Sequence, residues 1–317
     1  MTARRVSVTR PGRWPQRAKL ALVAAAPWLW FAVRDLALVD QLLDGVAIAM
    51  PLVLYCSIPM LAFAAILRRK LLVCGAMSLA AVALASIVAP WIPEAMATPV
   101  LPFRLVSANV FGGNADKPDF AKELIALDAD VVITLESLSG AHELLSVAYP
   151  HTVAPRQPEG IGVYTGFAVL SATRPVEGVG VLRIVLDAPG GAIALYAAHL
   201  SRAWVTGGGK NDVVFFRHRA IVEHLLDSIR QDPLPTVLAG DLNMSDRTSK
   251  YRAVRSTLRD AMLVRWAGPT SRKLLFRPLL LRIDHIFVPK QWCAKDARRI
   301  ELTGSDHDAV TATIGPC

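Results

Sequence analysis

Eight polar residues stand where apolar, strand-like runs end in the last two-thirds of this chain: Asn109, Glu136, His199, Asp241, Asn243, Asp284, Asp306 and His307. They supply carboxylates, amides and imidazoles. Carboxylate and amide oxygens suit a hard divalent cation, and an acid near an imidazole fixes its tautomer and raises its basicity. Such a set can perform metal-assisted hydrolysis of a phosphate ester.

Each residue also has a plainer use. Glu136 closes an apolar run, where a charge is costly unless it is paired, ligates a metal or meets solvent. Asn109 and Gly240-Asp241-Leu242-Asn243 read equally well as turn formers. Ser305-Asp306-His307-Asp308 follows Gly304 and reads as a polar loop. Asp284 and His285 are neighbours in a strand pattern, so they face opposite sides, one to a site and the other to solvent or packing. His218 and His224 lie on a long helix and read as surface histidines. Asn114, after the first strand, is a further candidate.

The elements that must position these residues alternate. Arg104–Asn109 reads as a strand, Phe120–Leu127 as a helix, Asp130–Glu136 and Gly166–Ser171 as strands. Val181–Leu186 and Ala192–His199 flank Asp187-Ala-Pro-Gly-Gly191, a hairpin turn. Phe215–Arg230 is a long helix, followed by strands Thr236–Ala239, Leu281–Val288 and Ala309–Ile314. The pattern predicts two packed sheets with helices outside.

The front of the chain reads as a membrane anchor. The sequence is 53% hydrophobic, and three uncharged apolar runs crowd its start: Leu20–Val33, Gly45–Leu67 and Leu71–Ile92. A helical span of a ~30 Å hydrocarbon core needs roughly 20 residues. The second and third runs meet that length, and Lys19 and Arg34 could snorkel to extend the first. The predicted organisation is a basic tail and three-helix anchor over residues 1–99, then a catalytic domain over 100–317 behind a Pro-rich join. Arg4, Arg5, Arg10, Arg13, Arg17 and Lys19 precede the first run, and Arg68-Arg69-Lys70 links the second and third. Positive segments stay cytoplasmic. The expectation is a multi-pass protein of the cytoplasmic membrane with its N-terminus inside and the domain outside.

The net charge of +9 is mostly this topology signal, since residues 101–317 hold 25 basic against 22 acidic residues. Within them, residues 247–299 hold 14 Lys and Arg against Asp260, Asp284 and Asp296. That excess suits either a nucleic-acid groove or a face lying on anionic lipid, and the tether favours lipid. Leu274–Leu281 is unusually apolar for a loop and reads as a membrane contact or as part of the core. Cys293 and Cys317 would share an oxidising compartment, where a disulfide is permitted. No Cys/His spacing suggests zinc.

In order along the chain, the signatures resemble the endonuclease/exonuclease/phosphatase superfamily, the DNase I-like metal-dependent phosphoesterases. The resemblance is carried by Ser107-Ala-Asn-Val-Phe111, Asp130–Glu136, Gly166–Ser171, Ala198-His-Leu200, Ala239–Asn243, Arg282–Ile286 and Gly304–His307, and spans residues 102–313. Ala172-Thr-Arg-Pro175 departs from the usual Arg-Tyr-Pro continuation. The resemblance implies a four-layer α/β/β/α sandwich. It implies Glu136 as the main ligand of Mg²⁺ (or Mn²⁺), with Asn109 and Asp306 helping to hold the metal. Asp241 would position or deprotonate the attacking water, and Asn243 would contact the phosphate. His307, charge-paired with Asp284, would bind a phosphoryl oxygen, and His199 would act beside it as electrostatic stabiliser or general acid. The expected substrate is a phosphate ester, lipid-linked rather than nucleic acid, met at the lipid bilayer. An extracytoplasmic nuclease and a non-catalytic, membrane-held binding domain are the alternatives. Oligomeric state is not legible.

Overall fold

The computed structural model describes residues 14–34, 40–137, 140–156, 160–175, 180–202 and 214–317. The tail arginines Arg4, Arg5, Arg10 and Arg13 lie outside the described residues.

Three helical segments open the chain. The first apolar run is divided into α1 (Gln16–Ala25), a 3₁₀ turn (Ala26–Leu29) and α2 (Trp30–Val33). Pro27 sits in that turn and has no N–H to give, so the α-helical ladder breaks there. Two long helices follow, α3 (Asp40–Ile66) and α4 (Lys70–Val88). The expected three spans are therefore corrected: among the described residues, two helices are long and apolar enough to cross a membrane, Leu42–Ile66 and Lys70–Trp91. The broken first run nevertheless packs along α4. Cys74 Sγ donates to Leu20 O and Ser78 Oγ to Ala24 O, so α1 and α4 run parallel. The α1 end bearing Arg17 and Lys19 thus lies at the Arg68-Arg69-Lys70 end of the hairpin.

The remainder runs β1 (Phe103–Asn109), α5 (Lys117–Ile125), β2 (Val131–Leu135), α6 (Ala141–Ala148), β3 (His151–Val153), β4 (Gly162–Thr165), β5 (Val169–Thr173), β6 (Val181–Ala188), β7 (Gly191–His199), α7 (Val214–Gln231), β8 (Thr236–Asp241), α8 (Ser249–Thr257), β9 (Arg259–Asp260), β10 (Asp284–Val288), β11 (Trp292–Glu301) and β12 (Asp308–Pro316). Two six-stranded sheets form, ordered β11-β12-β1-β2-β4-β3 and β5-β6-β7-β8-β10-β9. Their facing sides share one core that includes Leu105, Ile133, Leu195, Val237, Ile286 and Val310. Helices α5 and α6 cover the outer side of the first sheet through Phe120, Leu124 and Leu145. Helices α7 and α8 cover the second through Val222, Leu225 and Val254. The result is the expected mixed α/β arrangement of two sheets between helices.

Each sheet contains one parallel pair joined through a helix: β1 with β2, and β7 with β8. The strand expected from Leu281 begins only at Asp284. Leu281 O instead accepts from Thr270 and Ser271, and Ile283 O from Leu242, so this backbone serves loops. The strand expected over Gly166–Ser171 shifts to β5, because Gly166 and Phe167 turn back onto Asp130 and Thr165. Helices α6 and α8 and strands β3, β4, β9 and β11 were not among the elements expected from the sequence. Cys293 and Cys317 form a disulfide that ties β11 to the chain end.

The long helices dock on the two-sheet domain through buried charge. Asp44, 2% exposed, accepts from Ser249 N and Oγ and from Lys250 Nζ at 2.7 Å. Pro51 cannot donate to the carbonyl four residues back, and Arg247 Nε takes that orphaned Ala47 oxygen at 3.1 Å. Trp91 Nε1 donates to Asp246 at 2.7 Å, and Asp246 pairs with the wholly buried Arg282. Arg282 also pairs with Asp260 at 2.7 Å.

Candidate active site

Strand alternation lines up the site. Along β1, Phe103, Leu105 and Asn109 point between the sheets, while Val106 and Ala108 point outward to α5. The same two-residue step makes His199 continue the inward file of β7, Asp241 that of β8, and Asp284 begin that of β10. His199 pairs in register with Asp241 across the parallel pair, and Asp241 with Asp284 across the antiparallel one. Four polar side chains thereby cap one end of an otherwise apolar inter-sheet core.

The loops add the rest. Glu136 follows β2 in a left-handed backbone conformation (φ 55°), a cost of about 1–2 kcal/mol for a non-glycine residue. Gly112 N–H meets its Oε2 at 2.9 Å and Asn109 Nδ2 its Oε1 at 3.2 Å. Asn109 Nδ2 also reaches Asp241 Oδ2 at 3.2 Å. His199 Nε2 lies 3.6 Å from Glu136 and 4.0 Å from Asp241. His307 Nδ1 pairs with Asp284 Oδ2 at 2.9 Å and lies 3.8 Å from Asp241. Asp306 Oδ1 stands 4.0 Å from the other face of His307, at Nε2, and Lys273 Nζ 3.8 Å from Asp306 Oδ2. Asn243, only 2% exposed, gives its side-chain N–H to Leu200 O at 2.8 Å, and its backbone N–H meets Asp241 Oδ1 at 2.9 Å. All eight sequence-predicted residues thus converge.

Two glycines make this convergence possible. A Cβ on Gly240 (φ 146°) would lie 1.9 Å from Ala198 O, so no side chain fits where β8 meets β7 just before Asp241. A Cβ on Gly304 would lie 2.0 Å from Asn114 Oδ1. Asn114 donates to Val110 O and Thr303 O. It is a bracket between two site loops, not a site group.

Charge in the cleft is uneven. Burial favours the neutral form of Glu136, but Gly112, His199 and Asn109 outweigh it and hold the carboxyl below its ordinary value. Burial and then neighbouring Asp284 push Asp241 up to about 6. Burial opposes charge on His307, yet Asp284 and then Asp241 raise it to about 10. One oxygen or nitrogen each of Asp241, Asp284 and His307 lie within 4.8 Å of one another. Glu136, Asp241, Asp284 and Asp306 give the cleft an oxygen-rich, anionic donor set. Such a set fits a small divalent cation of the Mg²⁺ or Mn²⁺ kind.

Of Asp284 and His285, His285 is the one that packs, as the strand alternation allowed, and it turns away from the cleft. It is wholly buried against Tyr251 and Phe287, with Nε2 on Met244 O at 2.9 Å, and burial lowers it to about 4. His218 is not a surface residue: it is 0% exposed, with Nε2 on Leu242 O at 3.0 Å, and burial lowers it to about 4. His224 is exposed, as expected. The basic stretch is partly internal, since Arg247 and Lys250 are buried against α3 and Arg282 is buried within the domain. Sequence reasoning missed the Gly112 amide. It also missed Ser305 Oγ, which bridges Asn109 O and His307 N, and Thr270 Oγ1, which receives Ile283 N and Asp284 N. A hydroxyl serving backbone groups carries no spacing signal.

The fold is shared with known structures. The chain is similar to an endonuclease/exonuclease/phosphatase from Beutenbergia cavernae DSM 12333, at 20% identity over 68% of this chain and 72% of that one, with a TM-score of 0.53. It is similar to a humanized D. rerio TDP2 at 18% identity, over 68% and 100% of the chains, with a TM-score of 0.55. It is also similar to the human Nocturnin catalytic domain solved with sulfate, at 13% identity over 69% and 97%, with a TM-score of 0.53. At these identities the likeness is one of fold. No curated protein matches the chain. The Endonuclease/Exonuclease/phosphatase family matches residues 106–307, from β1 through His307 and so across every site residue described above, and the chain belongs to that family.

Proposed function

We propose that this protein is a membrane-held, divalent-metal-dependent hydrolase of a phosphate ester. The observation that carries the reading is the hydrogen-bonded line Glu136–Asn109–Asp241 lying beside the Asp284–His307 pair. Glu136, Asn109 and Asp306 would hold the metal. A bound Mg²⁺ or Mn²⁺ supplies Lewis-acid polarisation and charge neutralisation at the phosphoryl group. Asp241, pushed up to about 6, is poised to orient water and take its proton near neutral pH. His307 is held protonated by Asp284 and offers a charged N–H where negative charge builds on the phosphoryl oxygens. His199, between Glu136 and Asp241, serves as second electrostatic donor or as acid to the leaving oxygen. Asn243 keeps the Asp241 turn in place and borders the phosphate.

Location follows from charge and packing. Parallel packing of α1 on α4 brings Arg17 and Lys19 to the Arg68-Arg69-Lys70 end. That end is placed in the cytoplasm by the excess of positive charge, and the domain at the opposite end is extracytoplasmic. The Cys293–Cys317 disulfide suits that side. A lipid or lipid-linked phosphate is favoured over nucleic acid, because three of the basic residues suggesting a groove are spent inside, Arg247 and Lys250 against α3 and Arg282 within the domain.

The test is turnover by the full-length protein in detergent with Mg²⁺. Substrates are a soluble phosphodiester, plasmid DNA, sphingomyelin and a polyprenyl pyrophosphate, with Glu136→Gln as control. Mg²⁺-dependent turnover lost in the variant supports the reading. Equal inertness of both proteins on every substrate overturns it, and rapid plasmid nicking without lipid turnover replaces lipid by nucleic acid.

A further inference from the structure

A short segment joins the catalytic cleft to α3 and carries two bare leucines. At its start, Ser271 bridges His307, and Arg272 N–H meets Asp306 O at 2.7 Å. At its end, Phe276 and Leu279 pack on Ile48 of α3 together with Leu281 and Ile283. Between them, Leu274 and Leu275 are 81% and 77% exposed.

The helix sets the height of this segment. A ~30 Å hydrocarbon layer takes roughly 20 residues of helix. Counted back from Ile66, next to the basic link, those residues reach the first turns of α3 around Ala47. Ile48 therefore lies at the hydrocarbon boundary on the domain's side, and whatever packs on it is level with lipid headgroups. A second element marks the same plane. Leu263 and Ala267 pack on Met50, Ala83 and Ile87 of the two long helices, and between them Trp266 is 52% exposed. An exposed Trp beside a span is an interfacial anchor.

We infer that Leu274 and Leu275 form a finger inserted into the leaflet on the domain's side, and that this finger sets the cleft over the headgroup phosphates of that leaflet. The occupant of the apolar tip is the bilayer itself, continuous with the surface of α3. Exposed Arg277, its Nε on Arg272 O, lies where lipid phosphates are and completes an apolar tip with a basic collar. Because the same segment contacts Asp306 and His307, insertion fixes where the cleft sits relative to the headgroups. The substrate class is a phosphate ester of a membrane lipid, reached without leaving the leaflet. The finger's catalytic consequence rests on the phosphoesterase reading above; its insertion does not.

Two measurements on the full-length protein in phosphatidylcholine/phosphatidylglycerol nanodiscs separate them. In a Cys56→Ala, Cys74→Ala background, Leu275→Cys carries an NBD label, with Val147→Cys, at an 88% exposed position of α6, as control. Blue-shifted emission quenched by doxyl-labelled phosphatidylcholine is expected at 275 only. Equal quenching at both positions, or none at 275, overturns insertion. With Mg²⁺, Leu274→Ser combined with Leu275→Ser is expected to lower hydrolysis of nanodisc-borne polyprenyl pyrophosphate or sphingomyelin by about tenfold or more. Turnover of soluble bis(p-nitrophenyl) phosphate is expected to stay unchanged. Equal loss on soluble and lipid substrates, or no loss on either, overturns the positioning role. Quenching of the label at Leu275→Cys, together with a wild-type protein inert on all substrates, keeps the finger and sinks the phosphoesterase reading.

Discussion

Removing one carboxylate from α3 is expected to loosen the catalytic domain. Asp44 is 2% exposed and Lys250 6%, and their charged atoms are 2.7 Å apart. Asp44 also accepts the Ser249 N–H and hydroxyl at the first turn of α8. Asp44→Ala leaves an ammonium, an amide and a hydroxyl buried without that partner. Deleting one member of a buried pair costs about 3–5 kcal/mol. At roughly 2–4 °C per kcal/mol for a cooperative unit of this size, Tm should fall by about 6–20 °C. Intrinsic Trp fluorescence in detergent reads the transition, and hydrogen exchange over Ser249–Thr257 reads the local effect. Adding Lys250→Met to Asp44→Leu should recover part of the loss, with a coupling of about 2 kcal/mol or more in the double-mutant cycle. A Tm within about 3 °C of wild type, with α8 protection intact, would refute the docking of α3 through Asp44. The same reasoning predicts that residues 100–317 alone are destabilised, because Lys250 and Arg247 lose their partners on α3.

Three other outcomes follow from the geometry. Glu136→Gln should lower turnover about 10²-fold or more with little change in Tm, and chelation by EDTA should abolish wild-type turnover until Mg²⁺ is restored. Gly240→Ala should destabilise by about 3 kcal/mol or more, since its Cβ would lie 1.9 Å from Ala198 O; unchanged thermal unfolding would contradict the strand geometry. His218 and His285 are held near 4, below the ordinary 6.5. The unfolded chain binds their protons first, so stability should drop as pH falls from about 6.5 to about 4, by roughly 3 kcal/mol per histidine. Tm measured across that range should flatten in His218→Gln/His285→Gln, where the amide keeps the carbonyl contact.

Much of the site was legible because strands repeat every two residues. Asn109, His199, Asp241 and Asp284 each continue an inward apolar file, so their order along the sequence already implied a common end of the sheets. The Asp284/His285 alternation was legible for the same reason. His218 was misjudged, although the signal was present: it lies four and seven residues before Val222 and Leu225 on the buried stripe of α7. The broken first run was legible in part through Pro27, whose effect on a helix is local.

The seam was not legible at all. Lys250 and Asp44 are 206 residues apart in the chain and Arg247 and Ala47 are 200 apart, and a charge carries no local sign of a distant partner. Residues 247–299 therefore read as a basic face, when part of that charge is interior. By itself the sequence determined the longer core strands, helices α5 and α7, the two long apolar helices and the chemical inventory of the cleft, because periodicity and residue type are local properties. Only the tertiary structure decided which charges are spent inside, which histidines are silent, and that the catalytic loops stand directly on α3. Burial and pairing are properties of the packed chain, and they appear only once the sheets close on each other and on the long helices.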